Sequence, residues 1–429
     1  MYFIKIPKVH IIFLWLSMVL LFSVSSEYVQ AANISTIQSA PKELQHFIQQ
    51  IVSTHPRFLA AQAERDATIS AYNASDNAIY NPELEINSEK TNIKTTTYGL
   101  SQTIDWGDQR GAKTRIAKHK LDAAQAIFQQ KRQQLIRDLL FALKDFHNKS
   151  RLAELSTQRL KLMQDFNILA KQRHIAGDLN QVELNLAQLA YSESILKNSQ
   201  VIAEKILAEQ AYIATYDSNF KSKQQNLNNL PINFSEATLP SDFDSFLLTL
   251  PKMRIVRAKV AVRKMTIDLR KSESSADPTI AIRGGKEGQE SLVGVTLSIP
   301  LNIRNTFSAE IDTARQEYLQ AEQLSQQAWR NLRRDITTQT RHYQLMRNAW
   351  VQWQQRGQKS MSSQLILLKK MWRSGDISTT DYLVQIKQNL DTQSAGIELQ
   401  TTLWSSWLTW LQSTAQIESW LQFNSIRNQ

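Results

Sequence analysis

The residues whose types and spacing could do chemistry gather around two glycines. Arg173 precedes the pair Gly177-Asp178, with Glu183 six residues past the glycine. Arg373 precedes Gly375-Asp376, with Asp381 at the same distance. Glycine reaches positive φ at little cost, so each pair can end one helix and let the chain reverse. Asp178 and Asp376 could then accept bonds from the free N–H groups at the next helix start. Other chemistries lack their residues. The histidines, His10, His46, His55, His119, His147, His174 and His342, never fall at a metal-ligand spacing such as H-x₃-H. No strand runs into a nucleophile elbow or a glycine-rich phosphate loop. The expectation is a chain with no catalytic residue, no metal ligand set and no cofactor. Trp404, Trp407 and Trp410, with Trp350, Trp353 and Trp372 upstream, recur at helical spacing and read as packing residues.

The elements that must position these residues come in duplicate. Pro56 in "THPRF" matches Pro251 in "LPKMR" at an offset of 195, and Pro82 matches Pro278 at 196. Gly99 in "YGLSQTI" matches Gly294 in "VGVTLSI" at 195, and Gly177 matches Gly375 at 198. Four landmarks in order predict a tandem duplication, with repeats over about 40–230 and 240–425. The junction, Asn228 to Asp242, is polar and holds Pro231 and Pro240. Each half reads as a helix, two strands, a very long helix, a Gly-Asp turn and another long helix. No glycine or proline occurs from Ala112 to Ala176, or from Asp178 to Leu230. Phe128, Leu135, Leu139, Phe146, Leu152, Leu155 and Leu162 form an apolar stripe at threes, fours and sevens. A straight helix from Ala112 to Ala176 spans roughly 100 Å at ~1.5 Å per residue, too long for a globule and suited to a tube or bundle.

Composition narrows the class. Only 11 Gly and 9 Pro among 429 residues suit a chain of long helices. The net charge is +11, but basic and acidic residues are interspersed, which argues against nucleic-acid binding. The absence of cysteine excludes disulfides, thiolate metal sites and an N-terminal lipid-bearing cysteine. Lys5 and Lys8, an apolar run from Val9 to Leu21 and the small-residue site Val29-Gln30-Ala31 read as a secretory signal peptide over 1–31. The run, about 13–16 residues, is short of the roughly 20 that a spanning helix needs, and no later stretch reaches that length. A mature chain (32–429) in a membrane must therefore enter it as β-strands.

Two alternating segments per half could do so. Leu84 and Ile86 alternate with Glu83, Glu85 and Asn87; Tyr98, Leu100 and Ile104 alternate with Thr97, Gly99, Ser101 and Thr103. In the second half Ile280 and Ile282 precede Val293, Val295, Leu297 and Ile299, which alternate with Gly294, Thr296 and Ser298. Short polar loops at Thr91 to Lys94 and Glu287 to Glu290 make each pair a β-hairpin. Such strands suit either a soluble hairpin resting on helices or a membrane barrel. Four strands cannot close a membrane barrel, whose smallest members have about eight, so a barrel would be shared between chains.

Four stretches carry a resemblance: "THPRFLAAQAERDATISAYNASDNAIYNPELEI", "YGLSQTIDWGDQRGAKTRIAKHKLDAAQA", "VGVTLSIPLNIRNTFSAEIDTARQEYLQAEQ" and "MWRSGDISTTDYLVQIKQNL". In order and twice over, they resemble the TolC-like outer membrane efflux family, and "NPELEI" and "DWGDQRGAKTR" lean towards its cation-efflux subgroup. Many members of that subgroup carry an N-terminal lipid-bearing cysteine, which this chain lacks. The resemblance implies a mainly α fold with a small β part: a homotrimer with a 12-stranded barrel in the outer membrane and a periplasmic α-barrel. It also implies a passive exit duct that reaches an inner-membrane pump through a periplasmic adaptor. By the same resemblance Arg173, Gly177, Asp178, Arg373, Gly375 and Asp376 lie at the periplasmic mouth, where the arginines could hold a carboxylate across the mouth or on the adaptor. Asp381 falls where the family places an inward-facing aspartate at the pore constriction, and Glu183 is its counterpart in the first repeat. The family's frequent second carboxylate is replaced by Val384, so the ring would be single. A duct for ATP-driven protein export and a periplasmic adaptor or coiled-coil scaffold are the competing readings.

Overall fold

The computed structural model describes residues 39–216, 234–356 and 361–423. The signal peptide over 1–31 and residues 228–233 of the junction lie outside them. The first half contains α1 (Lys42–Thr54), α2 (Pro56–Ala74), β1 (Glu83–Lys90), β2 (Lys94–Thr103), α3 (Gln109–Ile175) and α4 (Gln181–Tyr216). The second contains α5 (Phe243–Thr249), α6 (Pro251–Glu273), β3 (Thr279–Glu287), β4 (Glu290–Ser298), α7 (Ser308–Arg356), α8 (Met361–Ser374), α9 (Thr379–Ser413) and α10 (Ile417–Trp420). The fold is mainly α with a small β part, as the sequence predicts. Pro56 and Pro251 each open a helix, where a missing N–H costs nothing. Pro82 and Pro278 each stand one residue before a strand.

Helix α3 is the spine. Its 67 residues give a length of roughly 100 Å. Near the sheet it lies between α2 and α6, and α7 packs on the far side of α6. Small buried residues, Ala61, Ala123, Ala126 and Ala258, line this part and let the helices run close together. Farther from the sheet α3 lies between α4 and α9. Here the stripe found in the sequence is buried: Leu135, Leu139 and Phe146 join the largest core, Phe128 packs against it, and Leu155 and Leu162 border the core beneath the helix turns.

The tryptophans of α9 fill that largest core. Trp404, Trp407 and Trp410 are buried, with Tyr343 stacked on Trp410 at 5.6 Å and Phe234 edge-on to Trp404 at 5.1 Å. They are packing residues, as expected. The same core joins the ends of the described chain, because Ala40 N–H donates to the Trp420 carbonyl at 2.9 Å. One buried amine lies beside it: Lys144 donates to Ser405 Oγ at 2.8 Å and sits over the Phe141 ring. Burial pushes its pKa down, since a charge is costly there.

Candidate functional site: a two-faced sheet and a helical tip

The four strands form one antiparallel sheet in the order β1-β2-β3-β4. Its register sorts the side chains by face. Ile86 pairs with Tyr98 and Leu84 with Leu100; Leu100 pairs with Ile282, Ile282 with Val295 and Ile280 with Leu297. Directly opposed residues share a face, so these apolar side chains form continuous rows across the sheet. They are also exposed, Leu84 at 73% and Val293 at 83%. On the opposite face lie Glu83, Glu85, Thr97, Ser101, Thr103 and Thr296, with Leu292 as an apolar exception. A soluble sheet buries its apolar rows; this one presents them outward. Past β4 the alternation continues through Ile299, Leu301 and Ile303, all exposed. The outer edges of β1 and β4 have no strand beside them among the described residues.

A buried carboxylate fixes the sheet to the helices. Asp277, just before β3, accepts bonds from Tyr80 Oη and Gln109 Nε2 at 2.9 Å each, and from Trp106 N–H at 3.1 Å. Two more aspartates cap the start of α3. Asp105 accepts from the N–H groups of Gln109 and Arg110 at 2.8 Å, and Asp108 from that of Gly111 at 3.2 Å. Each supplies an acceptor to donors the helix cannot satisfy internally.

At the other end of the helices stand the two Gly-Asp turns. Gly177 has φ +85° and Gly375 φ +83°. Gly177 N–H donates to His174 O and Asp178 N–H to Arg173 O, at 3.0 and 2.9 Å. Gly375 N–H donates to Trp372 O and Asp376 N–H to Met371 O, at 3.2 and 2.9 Å. Both are Schellman endings, which require the left-handed conformation that glycine supplies.

The capping role expected of Asp178 and Asp376 belongs to other residues. Asn180 Oδ1 accepts from Glu183 N–H at 2.9 Å, while Asn180 N–H donates to Glu183 Oε2 at 3.4 Å. Ser378 Oγ accepts from Asp381 N–H at 3.0 Å and donates to Asp381 Oδ2 at 2.7 Å. The aspartates stand two residues too early, still completing the preceding helix's ending, and Asp376 accepts from Ser374 Oγ. The segments "NQVE" and "STTD" carry the capping-box spacing, a signal legible in the sequence. Glu183 therefore completes a capping box, whereas Asp381 accepts from the hydroxyl of its cap rather than from the cap's N–H; Asp381 is exposed and Glu183 half-buried.

Beneath the turns, Trp372 and Tyr382 stack at 5.0 Å, and Phe166 of α3 packs on both at 4.6 and 5.1 Å. Burial raises the Tyr382 pKa to about 12. Arg173 donates to the Trp372 carbonyl at 3.1 Å and lies 5.2 Å from its ring, so it bridges the two turns. Arg373 is exposed. On α4, Val182, Leu189 and Leu196 are exposed at intervals of seven, an apolar seam of coiled-coil spacing. Among the described residues no helix is long and apolar enough to cross a membrane, and no cluster of His, Asp or Glu could hold a metal.

No family model matches the sequence, and no curated protein matches it. Solved structures do match the fold. The outer-membrane channel OprN superposes with a TM-score of 0.72 at 14% identity, over 89% of this chain and 91% of that one. CusC, known from crystal structures on folding and transmembrane channel formation, gives 0.73 at 13%, over 88% and 92%. The open-state MtrE outer membrane channel of Neisseria gonorrhoeae gives 0.71 at 13%, over 88% and 90%. At such identities the likeness is one of fold: this chain has the fold of TolC-like outer-membrane channels.

Proposed function

We propose that this chain, having that fold, is one subunit of a homotrimeric outer-membrane channel, the passive exit duct of an efflux system, with no catalytic activity. The observation that carries the reading is the sheet, apolar and exposed on one face, polar on the other, and open at both edges. In lipid no backbone group can stay unpaired, so a spanning sheet must close. Three copies joined β4 to β1 give twelve strands, with the apolar rows towards lipid and the polar rows towards water. Strands of 8 to 10 residues suit that role. The α4 seam of Val182, Leu189 and Leu196 is where a helix of a neighbouring copy would pack. The signal peptide over 1–31 supplies the route out of the cytoplasm, and 32–429 is one channel domain built from two repeats.

In this reading the turns form the periplasmic mouth and meet an adaptor that leads to an inner-membrane pump. Gly177, Asp178, Gly375, Asp376 and the exposed Arg373 present the docking surface, while Arg173 holds the two turns together. Asp381 forms a ring of three carboxylates at the pore constriction, with Glu183 beside it. Such a ring attracts cations and repels itself. The cargo class is small molecules or metal cations, carried as substrate.

Alkaline carbonate should leave the protein in the membrane, detergent should release it, and cross-linking should give a three-chain species. Release by carbonate would favour a periplasmic scaffold instead. An adaptor with a proton-driven pump should co-purify; an ATP-driven transporter would point to protein export. Asp381→Asn keeps the acceptor for Ser378 and removes the charge. In planar bilayers it should weaken block by divalent cations several-fold, and an unchanged block would remove Asp381 from the constriction.

A further inference from the structure

The sheet puts its glutamates and its lysines on opposite faces. Its glutamates, Glu83, Glu85, Glu89, Glu287 and Glu290, all fall on the polar face. Its lysines, Lys90, Lys94 and Lys286, all fall on the apolar face. Lys90 and Lys94 pair directly, four residues beyond the opposed Ile86 and Tyr98, with Ser88 and Thr96 between them on this face. Lys286 opposes Thr96 and Ser291, in the row next to Val293. All three lie at the end of the sheet farthest from the helices, beside the strand turns, and all are exposed. Among the described residues no ion pair or side-chain hydrogen bond holds any of them.

Water alone does not account for this arrangement. Lysines seeking attraction within the sheet would share a face with the glutamates, where Arg283 lies. Lysines seeking only water would do as well on either face at the turns. Instead all three extend the apolar face beyond its Leu84 and Ile86 rows, Lys286 in the next row with Ser88, Thr96 and Ser291, and Lys90 and Lys94 one row beyond that. A long side chain there lays its methylene stem along the apolar rows and carries its ammonium about one headgroup layer beyond them.

We propose that Lys90, Lys94 and Lys286 form a binding rim for the phosphate groups of anionic lipid headgroups, in the leaflet farther from the helices. The proposal rests on the membrane placement above and names a partner that the placement alone does not require. In a closed trimer the three lysines of each chain would ring the barrel at one depth. The occupant is an anionic lipid because the rim lies on the face of the apolar rows, with Lys286 in the row bordering Ile86, Tyr98 and Val293 and Lys90 and Lys94 one row farther out, and its charge is of one sign.

The test uses the full mature chain inserted into vesicles of phosphatidylcholine alone, or of an equal mixture with phosphatidylglycerol. Retained lipid is counted by native mass spectrometry after transfer to detergent. The wild type should insert into both vesicles and retain phosphatidylglycerol in preference to phosphatidylcholine. The variant K90Q/K94Q/K286Q should insert equally well and lose that preference, by roughly fivefold per lysine and on the order of a hundredfold in all. K90R/K94R/K286R should keep it, which separates lost charge from damaged folding. Equal retention by the wild type and the glutamine variant would overturn the rim and leave the barrel untouched. Failure of the wild type to enter phosphatidylcholine would overturn the membrane placement, and the rim with it.

Discussion

At Gly177 and Gly375 the backbone does the same thing twice: a Schellman ending, a two-residue gap and a side-chain N-cap. The side chains around these turns differ. Under the offset of 198 residues, His174 stands where the second turn has Trp372, and Leu184 where it has Tyr382. His174 Nδ1 meets the Leu179 carbonyl at 2.8 Å, whereas Trp372 and Tyr382 draw Phe166 across from α3. Arg173, from the first turn, then covers Trp372. Two turns of one geometry thus hold unequal shares of the packing, and the first hairpin rests on the second.

The largest expected effect tests this inequality. Trp372→Ala should destabilise the helical end by about 3–5 kcal/mol, since it empties the centre of the aromatic cluster. His174→Ala should cost only about 1 kcal/mol, one hydrogen bond. Amide exchange at the helical ends reads both, and equal losses would abolish the contrast. Alkali gives the next effect. The folded pKa of Tyr382 is about 12 against an ordinary 10, so the stabilisation it reports is complete below pH 10 and fades as pH rises towards 12. The full shift corresponds to about 2–3 kcal/mol. Protection near Tyr382, corrected for the intrinsic hydroxide-driven rise in exchange rate, should fall over that range and near Leu184 should not; loss of protection at both together would place the sensitive group elsewhere. The smallest effect tests the likeness. Asn180→Ala and Ser378→Ala should each cost about 1 kcal/mol, seen as fraying of α4 and α9. Unequal costs would mean that the two N-caps are not equivalent.

Much of this was legible in the sequence because it is local. Alternation of Val293, Val295 and Leu297 marks a strand, and the unbroken run after Ala112 marks a helix, whatever lies around them. Gly177 and Gly375 announce turns for the same reason. The cap was misplaced because an aspartate next to the glycine is an obvious acceptor, yet the Schellman bond already uses its position; Asn180 and Ser378 carried the better signal. Asp277 was invisible because its partners Tyr80 and Gln109 lie 197 and 168 residues away. The same holds for Phe166 with Trp372 and for the common face of the lysines. These are products of register and packing, which no short window contains.

The pairing of β2 with β3 also dictates an order of events. Thr103 and Thr279 share a hydrogen bond at 2.8 Å although 176 residues separate them. The hairpins β1-β2 and β3-β4 close over a few residues and can form early. Their union must wait until the ends of that long segment come together, a step delayed by the entropy of closing so large a loop. Meanwhile the inner edges of β2 and β3 are open to any strand, including those of other chains. Zippering of α3 against α6 brings the right edges together, since these helices adjoin β2 and β3 in the chain. The helices thus act as an internal chaperone for the sheet, and a chain that zips slowly is at risk of exchanging strands with its neighbours.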